Sequence, residues 1–222
     1  MIAQQIFTDE GSADKLAAMG LNVEDFTFAM SRAIYESRRS SPLHPRTDAM
    51  TRGWSETVAA FRESVLSDSR GWNFTRSDGL EFTINSELGL SIIITSGDKD
   101  TGRIDGFPKT KNSKGSATEN LVNNNFNLEL FSMNEVTPIV EKESIIDSTK
   151  TYVFLYHFDL SNEEVRCELS LPGGMSGANG YNKIDNWLER IILPSIPFSA
   201  GINISESEKD FSEDVDIQIS RK

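Results

Sequence analysis

The chain has 222 residues, 37% of them hydrophobic and 25% charged, which suits one large domain or two small ones with a proper buried core. Its 34 acidic residues against 22 basic ones give a formal net charge of −12, and repulsion at that charge argues against general binding to nucleic acid or anionic membranes. Cys167 is the lone cysteine, which excludes an intrachain disulfide; with no signal-like N-terminus and no run of membrane-spanning length, the expected location is the cytoplasm.

The first expected element is a short helix, SADKLAAMG, with Ser12 as N-cap and Gly20 as its stop. A second helix is predicted from Val23 or Glu24 to about Arg38, since Phe26, Ala29, Met30, Ala33 and Ile34 fall on one face. Pro42 and Pro45 break the pattern. Trp54, Val58, Phe61 and Val65 then recur at steps of four, three and four, the stripe of a third helix that should pack on a sheet.

After Gly71 the period becomes strand-like. Trp72 to Thr75, Leu80 to Ile84 and Leu90 to Thr95 read as a three-stranded antiparallel meander, separated by the turn signals Ser77-Asp78-Gly79 and Asn85 to Gly89. A long polar loop follows, then a helix starting near Ser116 and running to about Asn124; FNLELF beyond it fits strand or helix. Thr151 to Asp159 and Val165 to Leu171 make a hairpin, GGMSGA a mobile loop, and Trp187 to Leu193 a last strand. The fold class expected is α+β: N-terminal helices packed on a mostly antiparallel sheet, with one short helix after the loop. A helical part (1–70) and a sheet part (71–203) should form one domain, followed by an acidic, flexible tail (204–222) in which Val215, Ile217 and Ile219 alternate.

The loop gathers the chemistry. Gly97, Gly102, Gly106 and Gly115 would let backbone approach a ligand, and Lys99, Arg103, Lys109, Lys111 and Lys114 supply donors for an anion. Its front half imitates a phosphate-cradling G-x-x-x-x-G-K-[ST] loop but fails, with Arg103 at the lysine position and Ile104 at the hydroxyl position. Asp98, Asp100 and Asp105 do not complete a calcium loop, because Arg103 and Lys109 occupy the required Gly and Glu positions. The back half leads three lysines into a helix start, where free N–H groups and the dipole favour an anion and Ser113 or Ser116 can cap.

Other motifs are weaker. Arg32, Arg38, Arg39, His44 and Arg46 offer a second basic surface, while Trp54 is placed by its spacing in the core rather than as a stacking platform. Gly174-Met175-Ser176-Gly177-Ala178 lacks the closing glycine of a nucleophile elbow, and both histidines, His44 and His157, precede the serine. Cys167 and His157 read as core positions on strands, and no zinc spacing is present.

The reading that results is a binding or regulatory protein rather than an enzyme, with no cofactor or metal signature. It would contact an anionic ligand or partner through Lys99, Arg103, Lys109, Lys111, Lys114 and Ser116. One alternative is a metal-dependent phosphodiesterase or nuclease using Asp159, Glu164 and Glu168 with a loop lysine. Another is an acidic, antitoxin-like decoy for a basic partner.

Overall fold

Four helices and an eight-stranded sheet make up the computed structural model, which describes residues 4–66, 70–133, 146–177 and 181–202. The acidic tail, including Val215, Ile217 and Ile219, lies outside the described residues. No helix among those described is long and apolar enough to cross a membrane.

The N-terminal helices arise much as their apolar spacing dictates. After β1 (Gln5–Phe7), α1 spans Asp9–Ala18, α2 spans Val23–Arg38 and α3 spans Asp48–Leu66. Asn22 and Asp25 form a reciprocal capping box at the start of α2. Buried Asp25 also receives two guanidinium hydrogen bonds from Arg70, at 2.9 Å each, and one from Ser64 Oγ at 2.6 Å, tying the start of α2 to the end of α3. Ser12 does not cap α1 as expected. The helix begins earlier, with Thr8 at the cap position, and Ser12 is buried, donating from Oγ to the carbonyl of Ile192 at 2.7 Å.

The meander is β2 (Asn73–Ser77), β3 (Leu80–Asn85) and β4 (Leu90–Ser96), antiparallel throughout. Beyond the loop, α4 (Ser116–Met133) crosses back so that β5 (Lys150–Asp159) pairs with β4 in parallel. FNLELF is helical, which makes α4 longer than its N-terminal signals predict. β6 (Glu164–Ser176) and β7 (Lys183–Ile192) follow antiparallel, β8 (Ile196–Pro197) pairs with β6, and β1 adds in parallel beside β7. The sheet order is therefore β1-β7-β6-β5-β4-β3-β2. The chain is α+β, with a mostly antiparallel sheet.

Alternation along the strands sorts the core into two faces. Ile92, Ile94, Tyr152, Phe154 and Tyr156 pack with α2 and α3, where Phe26, Phe61 and Phe154 meet ring to ring. Ile93, Val153 and Leu155 point the other way, against Leu121 and Val122 of α4. The expected mobile loop at GGMSGA is instead strand as far as Ser176. β6 bulges between Leu171 and Met175 around Pro172 and stays paired to β7. A Cβ on Gly173 would lie 2.5 Å from Leu188 Cγ, so that glycine makes room for a core leucine.

Candidate functional site

Three of the four glycines of the long loop, Gly97, Gly102 and Gly106, serve the fold. Gly102, at φ +72°, has a backbone conformation that favours glycine, and a Cβ there would lie 2.9 Å from Arg166 Cβ. A Cβ on Gly106 would sit 2.6 Å from the Asp100 carbonyl oxygen, and one on Gly97 would collide with Thr101. The close approach that glycine permits here is therefore of the chain to itself.

A buried ion pair holds this front half to the sheet. Arg190 on β7 and Glu168 on β6 both have 0% side-chain exposure and meet at 2.6 Å. Arg190 also donates to the carbonyls of Gly106 (2.8 Å) and Arg103 (2.9 Å), while Glu168 accepts from Gly102 N (2.8 Å) and Ser170 Oγ (2.8 Å). The pair thus has backbone partners that satisfy its remaining donors and acceptors, the condition under which a buried pair is tolerated. Further along, Trp187 Nε1 donates to the Pro108 carbonyl at 2.7 Å, and Thr110 N and Lys111 N donate to Ile184 O and Ser96 O.

The six residues singled out by sequence separate. Lys99 and Arg103 border an open cavity of about 590 Å³ with His157 and Arg166, but Asp100, Asp105 and Asp159 border it too. Asp159 pairs with Arg166 at 3.1 Å, so the balance of charge there favours no anion. Lys109 lies 3.4 Å from Asp185, Lys111 is exposed, and Ser116 is the first residue of α4. Neither candidate serine stands immediately before that helix. Gly115 does, and its carbonyl accepts from Thr118 N and Glu119 N.

Lys114 is different. Its backbone N–H donates to Asn182 O at 2.7 Å, fixing it beside the sheet, and its ammonium donates to Thr95 Oγ1 at 2.7 Å. Among the described residues no carboxylate pairs with it. Burial pushes its pKa down from the ordinary lysine value, because the charged form loses hydration without gaining a counter-ion.

The surroundings of Lys114 come from an interruption of the sheet. The β2–β3 ladder runs to Ser77 and Leu80, and the β4–β5 ladder runs to Ser96 and Tyr156, but β3 and β4 pair only from Asn85–Leu90 to Thr83–Ile92. Leu80 to Phe82 and Ile93 to Ser96 part company. Two donors from α3 flank the split: Trp54 Nε1 donates to Ile94 O at its β4 edge, at 3.0 Å, and Arg62 Nη2 to Phe82 O, on the β2 side of β3, at 3.1 Å. The resulting cleft, about 530 Å³, has Met50, Trp54, Leu80 and Ile93 as apolar wall. Lys114, Thr95, Thr118 and Tyr156 are among its polar groups, and the Glu81 carboxylate borders it too, paired with Arg62 and Arg76. Burial raises the Tyr156 phenol, which stays a neutral donor. Trp54 is 39% exposed, so the apolar stripe of α3 ends in a cleft-lining indole that spacing alone assigns to the core.

Most of the remaining sequence candidates are occupied, while Arg46 is exposed. Arg32 pairs with Glu56 and Glu63, Arg39 with Glu36, and Arg38 covers the Phe198 ring, while His44 Nδ1 accepts from Ser41 N in a turn. Cys167 is buried, and its thiol pKa is raised by desolvation and then by Glu168. Asp159 and Glu164 face each other across the β5–β6 hairpin, whereas Glu168 is bound to Arg190. Among the described residues no group of three or more His, Cys, Asp or Glu side chains is placed to hold a metal ion.

Comparisons with known proteins add no relative: no family model, no curated protein and no solved structure matches the chain.

Proposed function

We propose that this chain is a cytoplasmic binding protein whose ligand brings a negative charge to Lys114 and an apolar body to the cleft between β3 and β4. The observation that carries the reading is the state of Lys114, an ammonium held in a half-buried cleft against a neutral hydroxyl. Desolvating a charge without pairing it costs free energy, and an anion in the cleft would recover it. Of the lysine-rich segment expected to contact an anion, Lys114 becomes the centre, with Thr95, Thr118 and Tyr156 as neutral donors beside it. Lys99, Arg103, Lys109 and Lys111 act at most as a surrounding positive field.

The test uses 1-anilinonaphthalene-8-sulfonate, a sulfonate on an aromatic body whose fluorescence rises in an apolar site. Titrated at neutral pH and low salt, Lys114→Met should bind it about tenfold more weakly than the native chain, the loss of one charge-assisted contact. Lys109→Met and Lys111→Met should remain within about twofold. Equal affinity of the native and Lys114→Met proteins would remove the proposal.

A further inference from the structure

We infer that the ligand of the cleft is an extended peptide bearing a carboxylate, which enters as an additional strand segment between β3 and β4. The inference rests on the reading of the cleft given above and names its ligand class. Its basis is the shape of the interruption. β4 remains regular and in register with β5 as far as Ser96, so Ile93 to Ser96 keeps a strand-like backbone although its pairing with β3 ends at Ile92. Across the gap, Leu80 to Phe82 is held straight by its own pairing to β2. Two extended segments thus flank one opening, and main-chain pairing to such segments is how peptides add to sheets.

The cap on the β4 lip fits that use. Ile94 O, which a continuous β3–β4 ladder would use, accepts from the Trp54 side chain, while Arg62 donates to Phe82 O, which lies on the side of β3 that faces β2. Covering an edge in this way restrains unwanted strand pairing. The Trp54 indole is 39% exposed, so it can leave Ile94 O to an incoming backbone N–H without unpacking the interior. Arg62 is braced by Glu81 at 3.0 Å and lies over the Phe74 ring at 4.8 Å, which makes β3 the fixed side.

The two faces of the sheet then dictate sequence. A strand presents successive side chains to opposite faces. On the face of α2 and α3 an inserted residue meets Met50, Trp54 and Tyr156; on the face of α4 it meets Thr95, Lys114 and Thr118. The expected ligand therefore alternates, with apolar residues on one side and an acidic residue, or the terminal carboxylate, on the other. Three residues suffice to run along Ile93 to Thr95, about 10 Å at the rise of a strand, beyond which Ser96 O is taken by Lys111 N. Long nucleic acid is the poorer candidate, given the net charge of −12.

A random octapeptide library displayed on phage, panned on the native protein and on Lys114→Met, tests the inference. Expected are enriched sequences with apolar residues at alternate positions and one acidic residue between them, retained by the native protein alone. Synthetic versions should displace 1-anilinonaphthalene-8-sulfonate, and N-methylation of alternate backbone amides should weaken them about tenfold. The fluorescence of Trp54, read as the part of the signal lost in Trp54→Phe, should change on peptide addition. Absence of enrichment over Lys114→Met overturns the inference. So does N-methylation without effect at every position, and in either case Lys114-dependent dye binding leaves the cleft reading intact. Dye binding indifferent to Lys114→Met overturns both.

Discussion

The two halves of the loop between β4 and α4 treat their polar groups in opposite ways. In the front half, Arg190 and Glu168 collect the backbone of Gly102, Arg103 and Gly106 until their donors and acceptors are matched. In the back half, Lys114 is half buried beside a single neutral acceptor. A buried charge whose partners all come from the fold is explained by the fold. One that the fold desolvates and leaves unpaired is instead available to something else, and this is why similar basic residues within one loop carry such different functional weight.

The contrast is broken most severely at the ion pair. Arg190→Met should destabilise by about 3–5 kcal/mol, because Glu168 would remain buried without its counter-charge and two loop carbonyls would lose their donor. Urea unfolding followed by circular dichroism measures it. A loss below about 1 kcal/mol would mean that the front half is not held by this pair. Gly106→Ala should cost less, about 1–3 kcal/mol, since its Cβ meets the Asp100 carbonyl oxygen at 2.6 Å and the loop must shift to admit it. Gly115→Ala serves as the control in the same experiment. No heavy atom lies within 4 Å of a Cβ built there, so steric overlap predicts no loss.

Much of the fold was legible because period and turn chemistry agree: Phe26 to Ile34, Val58 to Val65 and the meander turns lie where spacing places them. What was not legible depends on distant partners. Gln5–Phe7 is a strand because β7 offers an edge, and Gly173 lies in β6 because Leu188 fills the space a side chain would need. The charge of Lys114 could be read from the chain, its isolation could not, since that follows from the parting of β3 and β4 and from which lysines find carboxylates. Trp54 misled for a related reason. Its position on an apolar stripe is what the core demands, and the cleft that half exposes it is a property of strand register.

A smaller effect sharpens the contrast on the side of Lys114. Lys114→Met should raise the melting temperature slightly at neutral pH, the reverse of Arg190→Met, because it removes a desolvated charge that has no ion-pair partner and puts an apolar side chain of similar length into a cleft walled by Leu80 and Ile93. Thermal unfolding by calorimetry decides the sign. A clear drop would place Lys114 among the structural charges, with Arg190, and not among those left for a ligand.

The smallest effect is a titration. Because burial lowers the Lys114 pKa in the folded chain below the ordinary 10.5, the unfolded chain holds more protons between the two values, and stability rises with pH across that window. Anion binding runs the other way. It needs the ammonium, so affinity for the sulfonate dye should fall as pH rises through the lowered value, by at most about tenfold per pH unit for a single proton. Lys109 is exposed and lies near Asp185. The loss should therefore begin at lower pH than an exposed lysine would give, and the step should vanish in Lys114→Met while persisting in Lys109→Met. A profile flat to pH 10 in the native chain would mean that some other cation receives the anion.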